Sequence, residues 1–211
     1  MRKFLSVSIV IFLSACSSGE KSPLFETVGV SQPEQSCPVD PRSFAKAEPV
    51  ADFSEGNGCG VRNGFRLYEV DGIKLSQPAL VTCNVANTFH NWLQKTVQPK
   101  ALQIYGAQIS EIKIAASYSC RPRNNVRGAK LSEHGMGNAI DVAGFSFDNG
   151  KQVTVLDDYY GASNDRNFLS SIRRDACGPF HTVLGPGSDS NHRDHIHLDL
   201  QRERSGGPYC H

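Results

Sequence analysis

Cysteine usage constrains this chain more than any other feature. Seven cysteines stand at Cys16, Cys37, Cys59, Cys83, Cys120, Cys177 and Cys210. The first closes an N-terminal stretch in which Arg2 and Lys3 precede the apolar run "FLSVSIVIFL" (4–13), too short for an ordinary membrane-spanning helix and patterned as a secretory signal. Setting Cys16 aside leaves an even set of six, and six cysteines in an exported chain read as a disulfide framework. Sequence alone does not choose among the pairings. Consecutive pairing, which joins neighbouring elements, is the expectation: Cys37–Cys59, Cys83–Cys120 and Cys177–Cys210. The chain has no C-x-x-C pair, which argues against a thiolate zinc knuckle or a thioredoxin-like site.

The end of the signal has a further pattern. "LSAC" (13–16) resembles a bacterial lipobox, which implies cleavage before Cys16 and lipidation of its thiol. Ser17, rather than Asp, follows it, which favours outer-membrane sorting in Gram-negative lipoproteins. The expected location is therefore the cell envelope, lipid-anchored and facing the periplasm. Residues 17–36 are rich in Ser, Gly, Pro, Glu and Lys and cannot bury enough apolar surface to fold alone. The organisation expected is a signal peptide at 1–15, a lipidated Cys and flexible tether at 16–36, and one domain at 37–211. Losing residues 1–15 removes two cations and no acid, taking the formal charge from +1 to −1. Such a chain has no basic excess for a phosphate backbone, so no nucleic-acid partner is expected. A monomer is expected.

Hydrophobic periodicity gives the elements. "FRLYEV" (65–70) followed by Asp71-Gly72 predicts a strand and a turn. In "NVANTFHNWLQKTV" (84–97), Val85, Phe89, Trp92, Leu93 and Val97 share one helical face, with Pro99 predicted to end or kink the helix. His90 in that helix reads as a structural or surface histidine. "EIKIAASYSC" (111–120) alternates as a half-buried strand. "NAIDVAGFSF" and "KQVTVL" flank Asn149-Gly150 as a hairpin. "RNFLSSIRRDAC" (166–177) predicts a short helix, and "HTVLG" (181–185) and "HIHLDL" (195–200) predict strands. The fold class expected is α+β: a single disulfide-stabilised domain with a central, mainly antiparallel sheet flanked by helices.

Two stretches carry the chemistry. In "NHRDHIHLDL" (191–200), strand alternation sends Ile196, Leu198 and Leu200 to the core and His195, His197 and Asp199 to the other face together. Surface histidines on an edge strand would explain this stretch if it stood alone. The second stretch, "SEHGMGNAID" (132–141), adds His134 and Asp141 around two glycines, which allow a tight, exposed loop and close backbone approach to a ligand. Asp141 opens an apolar strand, where a carboxylate needs compensation. A divalent cation supplies it, and zinc accepts His nitrogen and carboxylate oxygen readily, keeping three protein ligands in catalytic sites. His134, Asp141 and one histidine of "HIH" make such a set on the sheet.

These residues resemble known peptidases. "SEHGMGNAID" matches the S-x-H-x-x-G-x-A-x-D pattern of the zinc D-alanyl-D-alanine carboxypeptidases and dipeptidases. "HRDHIH" matches the H-x-x-H-x-H pattern of the penicillin-insensitive murein endopeptidases. With "ASYSCRPRN" (116–124) and "FHTVLGPGSDSNHRDHIHLDL", the chain from Cys37 to Cys210 resembles the bacterial extensin-like C-terminal family, related to these enzymes. The resemblance implies zinc held by His134, Asp141 and His197. It places His195 beside the metal, with His192 as a second proton-transfer candidate. The dipeptidase branch uses a Glu three residues before the ligand histidine. Asp194 stands at that spacing, is one methylene shorter, and in a regular strand faces away from His197. His195 is therefore preferred as base, and Asp194 joins Asp199 among carboxylates that support the histidines. Arg121 is implied at a substrate carbonyl or carboxylate. Ser132 either bonds substrate or shapes its loop.

The function expected is zinc-dependent hydrolysis of peptide bonds in peptidoglycan stem peptides or cross-links. The alternative is a lipoprotein that keeps the zinc and binds wall peptides or a protein without cutting. Inward-facing His195 and Arg121 would separate the first from the second. No G-x-S-x-G and no H-E-x-x-H occurs, which removes the commonest serine-hydrolase and zincin readings. Residues 37–80 and 157–166 are expected to shape the cleft.

Overall fold

The computed structural model describes residues 37–202 and 206–211. The signal segment, Cys16 and the tether up to residue 36 lie outside the described residues. In chain order the strands are β1 (Ala45–Val50), β2 (Phe53–Gly56), β3 (Cys59–Val61), β4 (Gly64–Val70), β5 (Ile73–Thr82), β6 (Ile109–Ala116), β7 (Ala139–Phe147), β8 (Gln152–Thr154), β9 (Thr182–Leu184), β10 (Ile196–Asp199) and β11 (Tyr209–Cys210). The helices are α1 (Cys83–Trp92), α2 (Gln98–Tyr105), α3 (Val155–Asp158) and α4 (Ser163–Ala176).

One sheet runs β1-β4-β5-β6-β7-β10-β9-β11, with β8 paired to β7, and β2-β3 form a separate ribbon. Pairing is antiparallel except at β5–β6 and β9–β11, as an α+β sheet with hairpin connections requires. The β4–β5 turn places Asp71 and Gly72 at φ 49° and 77°, the primed geometry that matches strand twist. His90 packs on this corner. It pairs with Asp71 at 2.9 Å and stacks on Phe44, so its role is structural.

The predicted helical face is the buried one: Val85, Phe89, Trp92, Leu93 and Val97 are at most 1% exposed. Thr82 caps the start, its hydroxyl accepting from the Val85 N–H. Pro99 does not end the helix. Residues Leu93–Val97 form a π-helical turn, and Pro99 falls in the first turn of α2, where its missing N–H is cheap. The chain stays helical until Gly106, which caps at φ 62°. Two other boundaries also move. "KQVTVL" is strand only to Thr154, whose hydroxyl caps α3 by accepting from the Asp157 N–H, and α4 begins at Ser163.

The helices and one sheet face share the apolar core, which includes Ile140, Val142, Ile196 and Leu198. Phe168 of α4 is fully buried and meets Tyr105, Phe145 and Phe147 edge-on. Burying one such ring contributes roughly 2–3 kcal/mol. Because strand residues alternate, Asp141, His197 and Asp199 point to the opposite face.

The disulfides correct two of the three expected pairings. Cys177–Cys210 forms, but the others are Cys37–Cys83 and Cys59–Cys120, with Cα separations of 6.0, 5.6 and 5.6 Å. Consecutive pairing fails because the β4–β5 hairpin intervenes. It carries Cys83 back to the start of the domain beside Cys37 and leaves Cys59 of β3 facing the end of the β6 segment.

Candidate metal centre

Register builds the floor of the site. β7 and β10 pair so that Asp141 lies opposite His197, between the core pairs Ile140–Leu198 and Val142–Ile196. The residues between Leu131 and β7 then deliver His134. Ser132 N–H donates to the Arg121 carbonyl, and a 3₁₀ turn over Glu133–Met136 buries Glu133, His134 and Gly135. This turn is buried, not the exposed loop expected. Its glycines answer to protein neighbours rather than to a ligand. A Cβ on Gly135 would lie 2.9 Å from Leu131 and 3.2 Å from the Cys59 sulfur, and one on Gly137 (φ 63°) 2.9 Å from Val61.

The three expected ligands converge. His134 Nε2, Asp141 and His197 Nδ1 offer donor atoms all within 4.8 Å of one another. Asp141 Oδ2 is 3.1 Å from His134 Nε2, Asp141 Oδ1 is 2.8 Å from His197 Nδ1, and the two ring nitrogens are 3.2 Å apart. The far nitrogen of each ring is anchored. His134 Nδ1 lies 2.6 Å from the Ser117 carbonyl and His197 Nε2 2.9 Å from Asp199. An N–H donated outward on each ring turns a lone pair inward, the arrangement in which outer carboxylates and carbonyls orient metal-ligating imidazoles. Two inward lone pairs at 3.2 Å repel unless a cation or proton lies between them. Two imidazoles and one carboxylate, all buried, fit zinc.

Electrostatics bear on that fit. Burial alone would lower the pKa of His197, but its hydrogen bonds to Asp141 and Asp199 outweigh burial and raise it to about 9. Burial pushes Asp141 up, while hydrogen bonds from His134 and His197 hold it well below the usual carboxylate range. With the metal absent, His197 thus holds a proton at neutral pH. Its contribution to stability is full below the unfolded histidine value of about 6.5 and is lost as pH rises through about 9. A metal must displace this proton. Zinc binding at pH 7 is expected to release about one proton per chain and to release progressively less as pH rises past 9. Calorimetric titration in buffers of different ionisation enthalpy reads this directly. Zero release at pH 7 would contradict a proton shared at this site.

The other expected residues gather around the same point. Asp199 orients His197 from behind. The His195 Nε2 lies 3.6 Å from Asp141 Oδ2, and its Nδ1 lies 2.8 Å from Asp194. Asp194 is exposed, so it holds His195 and does not reach the metal ligands. His192 has its Nδ1 2.8 Å from Asp189 and its ring 5.6 Å from that of His197. Burial lowers its pKa despite that carboxylate. Arg121 and Ser132 line the same cleft, of about 340 Å³. Ser132 is buried and Arg121 half-buried, and neither side chain has a polar partner among the described residues.

The cleft walls correct the expected ones. They come from residues 121–125 and from the 182–201 stretch with Tyr209, not from 37–80 or 157–166. Sequence reasoning also missed five contributors. Glu133 is buried at the cleft, its carboxyl raised chiefly by that burial, and it accepts from Asn138 Nδ2 at 2.6 Å. Asp189 could have been read as a turn residue three before His192, since its carboxylate also accepts from the Asn191 N–H. Asn124 and Asn125 line the wall without a motif. Ser117 works through its backbone carbonyl, which no side-chain pattern announces.

Comparison with known proteins bears out the extensin-like part of the resemblance. No curated protein matches the chain, and no solved structure does. The family model described as "Extensin-like protein C-terminus" matches residues 35–211, a span that takes in both ligand motifs, all three disulfides and every element of the sheet. The chain therefore belongs to the extensin-like C-terminal family.

Proposed function

We propose that this protein is a zinc peptidase that hydrolyses peptide bonds in peptidoglycan stem peptides or their cross-links, held near the wall by a lipid on Cys16. The motif likeness to zinc D-alanyl-D-alanine carboxypeptidases and murein endopeptidases suggests the substrate class. The observation that carries the reading is a histidine beside the ligand trio that is not one of the trio: His195, aimed inward and steered by Asp194.

His134, Asp141 and His197 would hold the zinc. The ion supplies Lewis acidity, polarising a peptide carbonyl and lowering the pKa of water toward ~7. The chain's own residues do the rest. His195 donates its Nδ1–H to Asp194, which leaves Nε2 to take a proton from the attacking water and return it to the leaving amine. His192, kept neutral by burial, is a second acceptor at the same cleft. Arg121, with no acid to satisfy it among the described residues, positions a substrate oxygen that carries or develops negative charge. Ser132 offers a hydroxyl to substrate at the floor. No thiol nucleophile competes, since the six cysteines of the described residues are all paired. A protein that only binds wall peptides would have no use for a proton acceptor at the position of His195.

The test is digestion of purified muropeptides by the oxidatively folded chain from Ser17, read by mass spectrometry beside zinc content. The expected result is about one zinc per chain and either loss of one D-Ala or release of monomers from cross-linked dimers. His195→Gln is expected to lower kcat by about 10²–10⁴ with zinc content unchanged. Zinc without cleavage of any muropeptide would shift the conclusion to a binding protein, and folded protein without zinc would remove the metal reading.

A further inference from the structure

Along one wall of the cleft, two residues have no part in the peptidase reading. Asn124 and Asn125 are consecutive residues in the left-handed region, at φ 53° and 57°. That conformation costs a side-chain-bearing residue of order 1 kcal/mol, and glycine is the cheap solution. The same loop uses glycine a few residues later, at Gly128, φ 82°. Asparagine usually tolerates the left-handed region by bonding its side chain to nearby backbone. These two do not. Neither side-chain amide has a hydrogen-bond partner among the described residues, and both residues line the cleft while remaining exposed. The two are the central residues of a turn that the Val126 N–H closes on the Arg123 carbonyl at 3.0 Å, which accounts for their backbone and leaves two free amides presented to the cleft.

The chemistry of the wall narrows the ligand. A side-chain amide offers a donor and an acceptor on neighbouring atoms, which matches the C=O and N–H of a peptide group. A carboxylate accepts only donors, and Arg121 supplies those in the same wall. Depth adds a length requirement. His134, Asp141 and His197 lie buried on the floor, whereas Asn124 and Asn125 stand at the exposed rim. One molecule touching both must run from floor to mouth. We propose that Asn124 and Asn125 form a subsite for a backbone peptide group of an extended oligopeptide, beyond the terminal dipeptide that occupies the metal floor. The inference rests on the peptidase reading and deepens it: the preferred substrate is a longer peptide chain, not a free dipeptide.

Glycine substitution separates ligand reading from turn formation. The Asn124→Gly/Asn125→Gly variant keeps the left-handed backbone at no steric cost and removes only the amides. Binding is measured by competition anisotropy on zinc-loaded protein carrying His195→Gln to slow turnover. The probes are an acylated pentapeptide ending in D-Ala-D-Ala, a sugar-bearing muropeptide with the same peptide, and acetyl-D-Ala-D-Ala. The expected result is a Kd for the pentapeptide weakened about tenfold by the double substitution, with the short ligand, zinc content and melting temperature unchanged. Equal pentapeptide affinity with and without the amides would overturn the subsite while leaving the peptidase reading intact. A loss confined to a sugar-bearing muropeptide would overturn it in favour of a glycan subsite. Failure of the parent protein to bind either peptide would overturn the subsite together with the peptidase reading.

Discussion

Asp141→Asn is expected to strip the protein of zinc and abolish hydrolysis while leaving the fold in place. The side chain keeps its size, so the β7–β10 register has no steric reason to change. The charge does not survive. Among the described residues Asp141 is the one carboxylate that meets both inward ring nitrogens, at 2.8 Å from His197 and 3.1 Å from His134, and it is 2% exposed. Removing one partner from a buried charged set typically costs about 3–5 kcal/mol, which corresponds to roughly 10²–10⁴-fold if it falls on metal affinity. Chelator competition followed by elemental analysis measures the change. Stoichiometric zinc of undiminished affinity in the variant would mean that the metal is bound elsewhere and that Asp141 only balances charge in the sheet.

Loss of the Cys59–Cys120 bridge is expected to have the next largest effect, on both stability and the site. It spans 61 residues, and on the chain-entropy account a loop of that length corresponds to about 4 kcal/mol. For a domain of this size that predicts a melting temperature about 8–16 °C lower in Cys59→Ser/Cys120→Ser. The bridge also touches the chemistry from two sides. The Cys59 sulfur packs against Gly135 in the turn that presents His134, and Cys120 immediately precedes Arg121. The variant is therefore expected to bind zinc more weakly as well. Cys177–Cys210, which joins the end of α4 to β11, provides the contrast. Cys177→Ser/Cys210→Ser should lose comparable stability and keep its zinc. Thermal unfolding with parallel metal titration distinguishes the two. Equal zinc affinity in both variants would show that the first bridge is only a staple.

That His197 and Asp199 share one face was legible in the sequence because strand alternation is short-range. Once "HIHLDL" is a strand with Ile196 and Leu198 inward, His197 and Asp199 have only one other face to occupy. The helical face of Val85, Phe89, Trp92, Leu93 and Val97 was readable for the same kind of reason, a period set by backbone geometry. What was not readable depends on tertiary proximity. The Cys37–Cys83 pairing requires knowing that the β4–β5 hairpin folds back on the domain's start. The Ser117 carbonyl becomes free for His134 because pairing at the end of β6 is irregular. Ser117 Oγ takes the Leu80 N–H and the Gln77 side chain takes the Ile114 carbonyl, so side chains replace a regular ladder there. The cleft walls were assigned to the wrong segments because loop lengths say little about which end of a sheet a loop covers. Pro99 misled because a rule about helix interiors was applied to what is the first turn of a second helix.

The opposition of Asp141 and His197 across β7 and β10 also sets an order of events. The two residues are 56 positions apart in sequence, with a hairpin, α4 and β9 between them. Non-local strand pairs of this kind form late, after the loop-closure cost has been met. Asp141 and His134 alone, seven residues apart, make an incomplete set. A metal held by His134, Asp141 and His197 could therefore be bound tightly only once the second half of the sheet has closed on the first, so metal uptake would report completed folding.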